Sequence, residues 1–139
     1  MPERFERGVA LMREMMGGQF AEAMQAHVAQ GGFASDIARF AVEHAFGDVW
    51  SRDGLERKHR SMIVIAVLIA QGQPDELRNH VRFGLRNGLK PRDLEELVIQ
   101  ALPYVGFPAV STALHAMIEV LRETGAETTA STAKEVGLL

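Results

Sequence analysis

Six side chains in this sequence have the types and positions for chemistry: Glu43, Trp50, Arg52, Arg60, His80 and Tyr104. Arg60 precedes Ile63, Val64 and Val67 by three, four and seven residues, so on a helix it shares their apolar face. An arginine turned toward a core must find an anion. That anion is either a structural carboxylate, with Glu43 the candidate, or a bound ligand. His80 stands at helical spacing from Leu77, Val81 and Gly84, and the glycine one turn away predicts open space beside the ring. Histidine titrates near neutrality, so here it is either a satisfied core residue or a general acid or base. Arg78, Arg82 and Arg86 recur every four residues on roughly the opposite face, which predicts solvent or subunit contacts and no catalysis. Glu43 has Arg39 as its ordinary partner one turn back. Trp50 and Arg52 fall in the stretch DVWSRDG, read as a loop. Tyr104 falls in PYVGFPA and reads as a core residue with its hydroxyl at the edge.

Other chemistries are excluded by composition and spacing. The 139 residues contain no cysteine, which removes disulfides, thiolate metal sites and thiol redox or nucleophilic chemistry. His27, His44, His59 and His115 show no metal-ligand spacing, so no metal is expected. No G-x-S-x-G, Walker or G-x-G-x-x-G motif occurs. The net charge of −3 argues against nucleic-acid binding. The longest apolar run, residues 62–70, is too short to span a bilayer, and no basic-then-apolar segment opens the chain. A soluble cytoplasmic protein without nucleic-acid or membrane partners is expected. Twelve of the 15 basic residues are arginine, and nine of the 15 lie between Arg52 and Arg92. The guanidinium fork suits carboxylates, although an arginine-rich solvated face accounts for the same counts.

The elements that must position these residues read as helices. Apolar residues recur at three and four, and no useful length alternates with period two. The pattern predicts helices over about Glu3 to Met16 and Phe20 to Gln30, stopped by Gly17-Gly18 and Gly31-Gly32. A third starts from a Ser35 or Asp36 cap, carries Ile37, Phe40, Ala41 and Ala45, and ends at Gly47. A fourth, Leu55 to about Gln71, is apolar on almost every side from Met62 onward, the pattern of a central buried helix. Pro74, Pro91 and Pro108 open three more, since proline loses no helical hydrogen bond in the first turn. Residues 1–123 read as one domain, and 124–139 as a small, polar tail that is loosely held or packs on a partner subunit.

The ordered set E43-H-A-F-G-D-V-W-S-R52, L55-E-R-K-H-R60-S-M-I, E76-L-R-N-H80-V, N87-G88 and Y104-V-G106-F-P108-A resembles the carboxymuconolactone decarboxylase family. It is most similar to the γ-carboxymuconolactone decarboxylase branch, over about Arg4 to Glu123. The resemblance implies an all-α, alkylhydroperoxidase D-like bundle of about seven helices, assembled as a homo-oligomer of six or three subunits. It implies decarboxylation of γ-carboxymuconolactone to the β-ketoadipate enol-lactone in protocatechuate catabolism, with no cofactor. In that reading Arg52 and Arg60 hold the lactone carboxylate and its lactone oxygen, and His80 returns a proton to the ring. Tyr104 or Trp50 donates to oxygen or walls the pocket, and Glu43 orients Arg60 or His80. The peroxidase branch carries C-x-x-C before the aligned histidine. Gln73 and Glu76 stand at those positions, so no peroxidase is implied. Asp53, His59 and Pro103 depart from the decarboxylase pattern, where proline, threonine and alanine are expected. A paralogue acting on a related lactone, or a non-catalytic helical oligomer, are the alternatives.

Overall fold

The computed structural model describes residues 2–138, and the described residues form helices without strands. In chain order these are α1 (Pro2–Met16), α2 (Gly18–Gln30), α3 (Ser35–Phe40), α4 (Arg57–Gln71), α5 (Pro74–Arg86), α6 (Pro91–Val105) and α7 (Phe107–Glu123). Between α3 and α4 the chain continues without a break into a wide, π-type coil, Ala41–Trp50. The fold is all-α, as the period of the apolar residues requires. Two compact units divide the chain at the start of α4, after Arg57.

In the first unit α1 packs on the wide coil and on α2. Its core is built from Val9, Leu11, Met12 and Met15 on α1, with Val42 and Phe46 on the coil. The helices approach closely because two glycines face backbone. A Cβ on Gly8 would lie 2.1 Å from the Val42 carbonyl oxygen, and one on Gly47 would lie 2.4 Å from the Arg4 carbonyl oxygen. That contact corrects the reading of Gly47 as a helix stop. The glycine admits α1, and the coil runs on through Asp48 and Val49 to Trp50, so the expected loop shortens by three residues. The expected Ser35 or Asp36 cap is also replaced. Ala34 takes the N-cap position at φ 73°, and the Ser35 hydroxyl donates backward to the Gly32 carbonyl at 2.9 Å. Phe33, Ile37 and Phe40 are exposed, so the third segment buries the other side of its coil.

The second unit holds one continuous apolar cluster. Ile65 and Ile69 of α4 meet Leu77 and Val81 of α5, Leu94 and Val98 of α6, and Ala116, Met117 and Val120 of α7. Each fully buried Ile or Leu stabilises the fold by roughly 1.5–3 kcal/mol. Helix α4 is not buried on all sides. Ser61, Ile65 and Ile69 form its buried stripe, while Ile63 and Val67 are 56% and 46% exposed. A run of apolar residues does not separate a core face from a second, outward apolar face, which explains the overstated burial.

Pro74 and Pro91 open α5 and α6, and Pro108 follows the first residue of α7. The Lys90 N–H donates to Asp93 Oδ2 at 2.9 Å, closing the first turn of α6. Arg86 is exposed, and Arg78 and Arg82 lie at the solvent-facing side and also bond within the unit. Arg78 reaches Glu119 at 3.0 Å and Arg82 reaches Glu123 at 2.7 Å, joining α5 to α7. Beyond α7, the Arg122 guanidinium donates to the Ala130 carbonyl and Glu135, and Thr132 is buried. Glu135 also accepts from the Thr132 N–H and hydroxyl, and these bonds with Arg122 bring its pKa down from 4.5 to about 2.

Candidate active site

Three of the six candidate residues lie in the first unit. Glu43 and Trp50 are both on the wide coil, and Arg52 follows in the turn, where its N–H donates to the Val49 carbonyl at 3.1 Å. Trp50 is therefore helical and not a loop residue. It is buried and stacks on Phe46 one turn back, with ring centroids 6.2 Å apart and planes 15° from parallel. Glu43 is half-buried and Arg52 exposed. Arg39, the expected partner of Glu43, pairs with Asp36 at 3.2 Å instead, because α3 brings those two within one turn. The negative charge of Glu43 contributes to raising the proton affinity of Arg4, after the larger effect of Asp48.

The other three lie in the second unit, on three different helices. Arg60 is half-buried in the first turn of α4. Its apolar companions Ile63 and Val67 are exposed, so Arg60 does not lie on the core-facing stripe, as spacing alone suggested. Tyr104, near the end of α6, is 83% exposed and is not a core residue. Helix α6 continues through Pro103, and beyond Val98 Leu102 and Val105 still pack on the core while Tyr104 turns outward.

His80 sits on α5 beside the buried Leu77, Val81 and Gly84, as its spacing predicted. Its ring meets Phe83 edge to face, with centroids 5.3 Å apart, and its Nδ1 is shut off from solvent. Burial lowers its pKa below the usual 6.5, against a smaller upward pull from Glu76. The ring is thus neutral at pH 7, a form in which one nitrogen can donate and the other can accept. The expected space at Gly84 is occupied. A Cβ there would lie 2.8 Å from Leu89 Cδ1, 3.3 Å from Ile65 Cδ1 and 3.6 Å from the Ser61 Cβ. Glycine is present so that α4 and the Leu89 side chain can close on α5. Ser61 is fully buried there and accepts from Asn87 Nδ2 at 2.9 Å, tying α4 to the end of α5.

One group of polar residues escaped sequence reading. Arg4 holds Asp48 with a fork, Nε to Oδ1 at 3.0 Å and Nη2 to Oδ2 at 2.6 Å, and this lowers the Asp48 pKa. Arg7 donates to the Gly47 carbonyl at 2.6 Å. The signal was an aspartate directly after an isolated glycine in an apolar helical pattern, which marks close backbone approach as readily as a stop. Among the described residues no cluster of three His, Asp or Glu side chains is arranged to hold a metal, and no helix is long and apolar enough to cross a membrane. A groove of about 410 Å³ lies between α6, α7 and residues 127–130, but none of the six candidates lines it.

The first unit supplies a buried indole and an exposed arginine, and the second a half-buried neutral imidazole, a half-buried arginine and an exposed phenol. Those are groups that hold carboxylates and move one proton. The profile of the carboxymuconolactone decarboxylase family matches residues 35–119. The chain is 36% identical over 123 residues to 4-carboxymuconolactone decarboxylase of Acinetobacter baylyi, covering 88% of this chain and 90% of that one. It is 29% identical over 110 residues to nitrosuccinic acid decarboxylase npaB of Metarhizium robertsii, covering 79% and 76%. The chain belongs to the carboxymuconolactone decarboxylase family and is a carboxy-lyase.

Proposed function

We propose that the chain decarboxylates γ-carboxymuconolactone to the β-ketoadipate enol-lactone, without a cofactor, as a step of aromatic catabolism in the cytoplasm. The observation that carries this reading is the 36% identity to 4-carboxymuconolactone decarboxylase, which extends over 90% of that protein. The substrate is a butenolide whose γ-carbon bears a carboxylate and an acetate arm. When the bond to the carboxylate breaks, CO2 leaves and its electron pair passes through the ring double bond to the lactone carbonyl oxygen. The ring is the electron sink. Arg52 holds the acetate arm, and Arg60 stabilises the charge growing on the lactone oxygen. Tyr104 donates to oxygen, Trp50 forms an apolar wall, and Glu43 orients the cationic side chains. His80 is neutral before substrate arrives. The two substrate carboxylates raise its proton affinity, so it gains a proton on binding and delivers it to the ring carbon.

A second substrate class is favoured by the 29% identity to nitrosuccinic acid decarboxylase. In nitrosuccinic acid the nitro group on the carbon losing CO2 takes the electron pair, so the same set of cations and one proton donor suffices. The test is loss of absorbance from γ-carboxymuconolactone generated in situ, with nitrosuccinate run in parallel. Turnover of the lactone after dialysis against a strong chelator is expected. Turnover of nitrosuccinate alone replaces the first reading with the second, and turnover dependent on added divalent metal removes the cofactor-free mechanism.

A further inference from the structure

The wide coil Ala41–Trp50 carries two of the proposed site residues, and its register decides how they point. In an ordinary helix of about 3.6 residues per turn, positions seven apart such as 43 and 50 share a face. A wider turn, bonding i to i+5, rotates one away from the other. Wide coils of this kind are rare and short unless something outside supports them. Here the support comes from α1. Arg4 grips Asp48 through both carboxylate oxygens, and Arg7 reaches Asp48 Oδ1 at 3.4 Å. The Gly47 carbonyl, in the last turn, receives Arg7 Nε at 2.6 Å and the Ser51 hydroxyl at 2.6 Å. Helix carbonyls in a last turn lack helical donors, so these two side chains satisfy an acceptor that would otherwise favour unwinding. The glycines at 8 and 47 let the two backbones touch along the same line. The family profile matches from residue 35, so α1 lies outside the profile.

We propose that Arg4 and Arg7 are positioning residues for the active site, which through Asp48 and the Gly47 carbonyl hold the wide register that aims Glu43 and Trp50. They touch no substrate. The proposal rests on the assignment of Glu43 and Trp50 to the site, but its first test does not. Trp50 is the single tryptophan, so its fluorescence reports the end of the coil directly. In Arg4→Met and Asp48→Asn, measured well below their melting temperatures, emission is expected to move to longer wavelength and become easier to quench with acrylamide. Arg4→Lys, which keeps the charge, is expected to restore part of the emission. Turnover in the first two is expected to fall about 10- to 100-fold in kcat, the scale of a misplaced group, with a smaller change in KM. Val28→Ala, a buried change on α2, serves as control and is expected to lower melting while leaving emission and kcat as in the wild type. If Arg4→Met fails to fold, Asp48→Asn and Arg4→Lys carry the same comparison. Wild-type emission in the folded variants overturns the proposal whatever the substrate proves to be. Altered emission with wild-type kcat on the confirmed substrate leaves the register claim standing and overturns its link to the site.

Discussion

Replacing His80 with alanine separates a proton donor from a packing residue, and the pH dependence of stability shows which environment the ring occupies. The ring is half-buried on α5, and removing it loses the edge contact with Phe83, worth about 0.5–1.5 kcal/mol. With the rest of the side-chain contacts, a total loss of about 1–2 kcal/mol is expected at pH 8. The fold survives because the void opens partly to solvent and the Gly84 contacts are untouched. The folded-state pKa of His80 lies below 6.5, so the neutral ring is the one the folded protein prefers. Its contribution is then fully present above about pH 6.5 and is lost as pH falls through the folded pKa. Between the two pKa values wild-type stability declines by at most ~1.4 kcal/mol per pH unit on this account. Other groups titrate alike in both proteins, so the stability gap between wild type and His80→Ala should shrink from pH 8 to pH 5. Urea unfolding at four pH values measures that gap, and turnover is followed on the same samples. A fall in kcat of roughly 10²–10⁴-fold is expected for a general acid. A gap that stays constant or widens on acidification refutes the burial argument. Full turnover removes the acid assignment and directs attention to Tyr104 and Glu43.

Gly8→Ala is expected to destabilise the protein by about 2 kcal/mol or more, since its Cβ meets the backbone carbonyl of Val42, which cannot rotate away; thermal melting checks this. Glu135, held near pKa 2 by Arg122 and Thr132, should keep residues 130–136 docked until acid approaches that value. The lowered pKa means its contribution is present above about pH 4.5 and is lost as pH falls toward 2, so the Thr132 amide signal should move in that window, a shift expected to be absent in Glu135→Gln, where residue 135 does not titrate. The outward apolar side chains of α4, Ile63 and Val67, suit a contact between copies of the chain, and sedimentation at micromolar concentration is expected to show an assembly of six or three. A profile dominated by single chains would reject it.

The helices were legible because their stop and start signals are local. Pro74, Pro91 and Gly17 act within one turn, and each falls within a residue or two of a helix end. The buried side of α5 was legible for the same reason, as Leu77, Val81 and Gly84 repeat at helical spacing. Gly47 was misread because a stop and a close crossing use the same residue, and only the carbonyl of Arg4, 43 residues away, distinguishes them. The outward placement of Tyr104, Ile63 and Val67 was illegible because an apolar residue at helical spacing has the same pattern whether it meets its own core or another surface. Arg60 was placed on the wrong stripe by that ambiguity, whereas the placement of His80 beside the buried side of α5 followed from its own helix, and the filling of the space at Gly84 by Leu89 and Ile65 did not.

The two bridges between α5 and α7 advance together: one turn forward from Arg78 is Arg82, and one turn forward from Glu119 is Glu123. The two helices therefore run in the same direction at this contact, like the rails of a ladder whose rungs are one turn apart. Exposed ion pairs add little to stability, but spaced this way they act as a gauge. A slide of α7 by one turn, about 5.4 Å, would set Glu123 opposite Arg78 and leave Arg82 without its carboxylate on α7. Smaller slides would misalign both rungs at once. The two pairs mark one register of α7 on α5, and a shift by one turn keeps one pair where there were two.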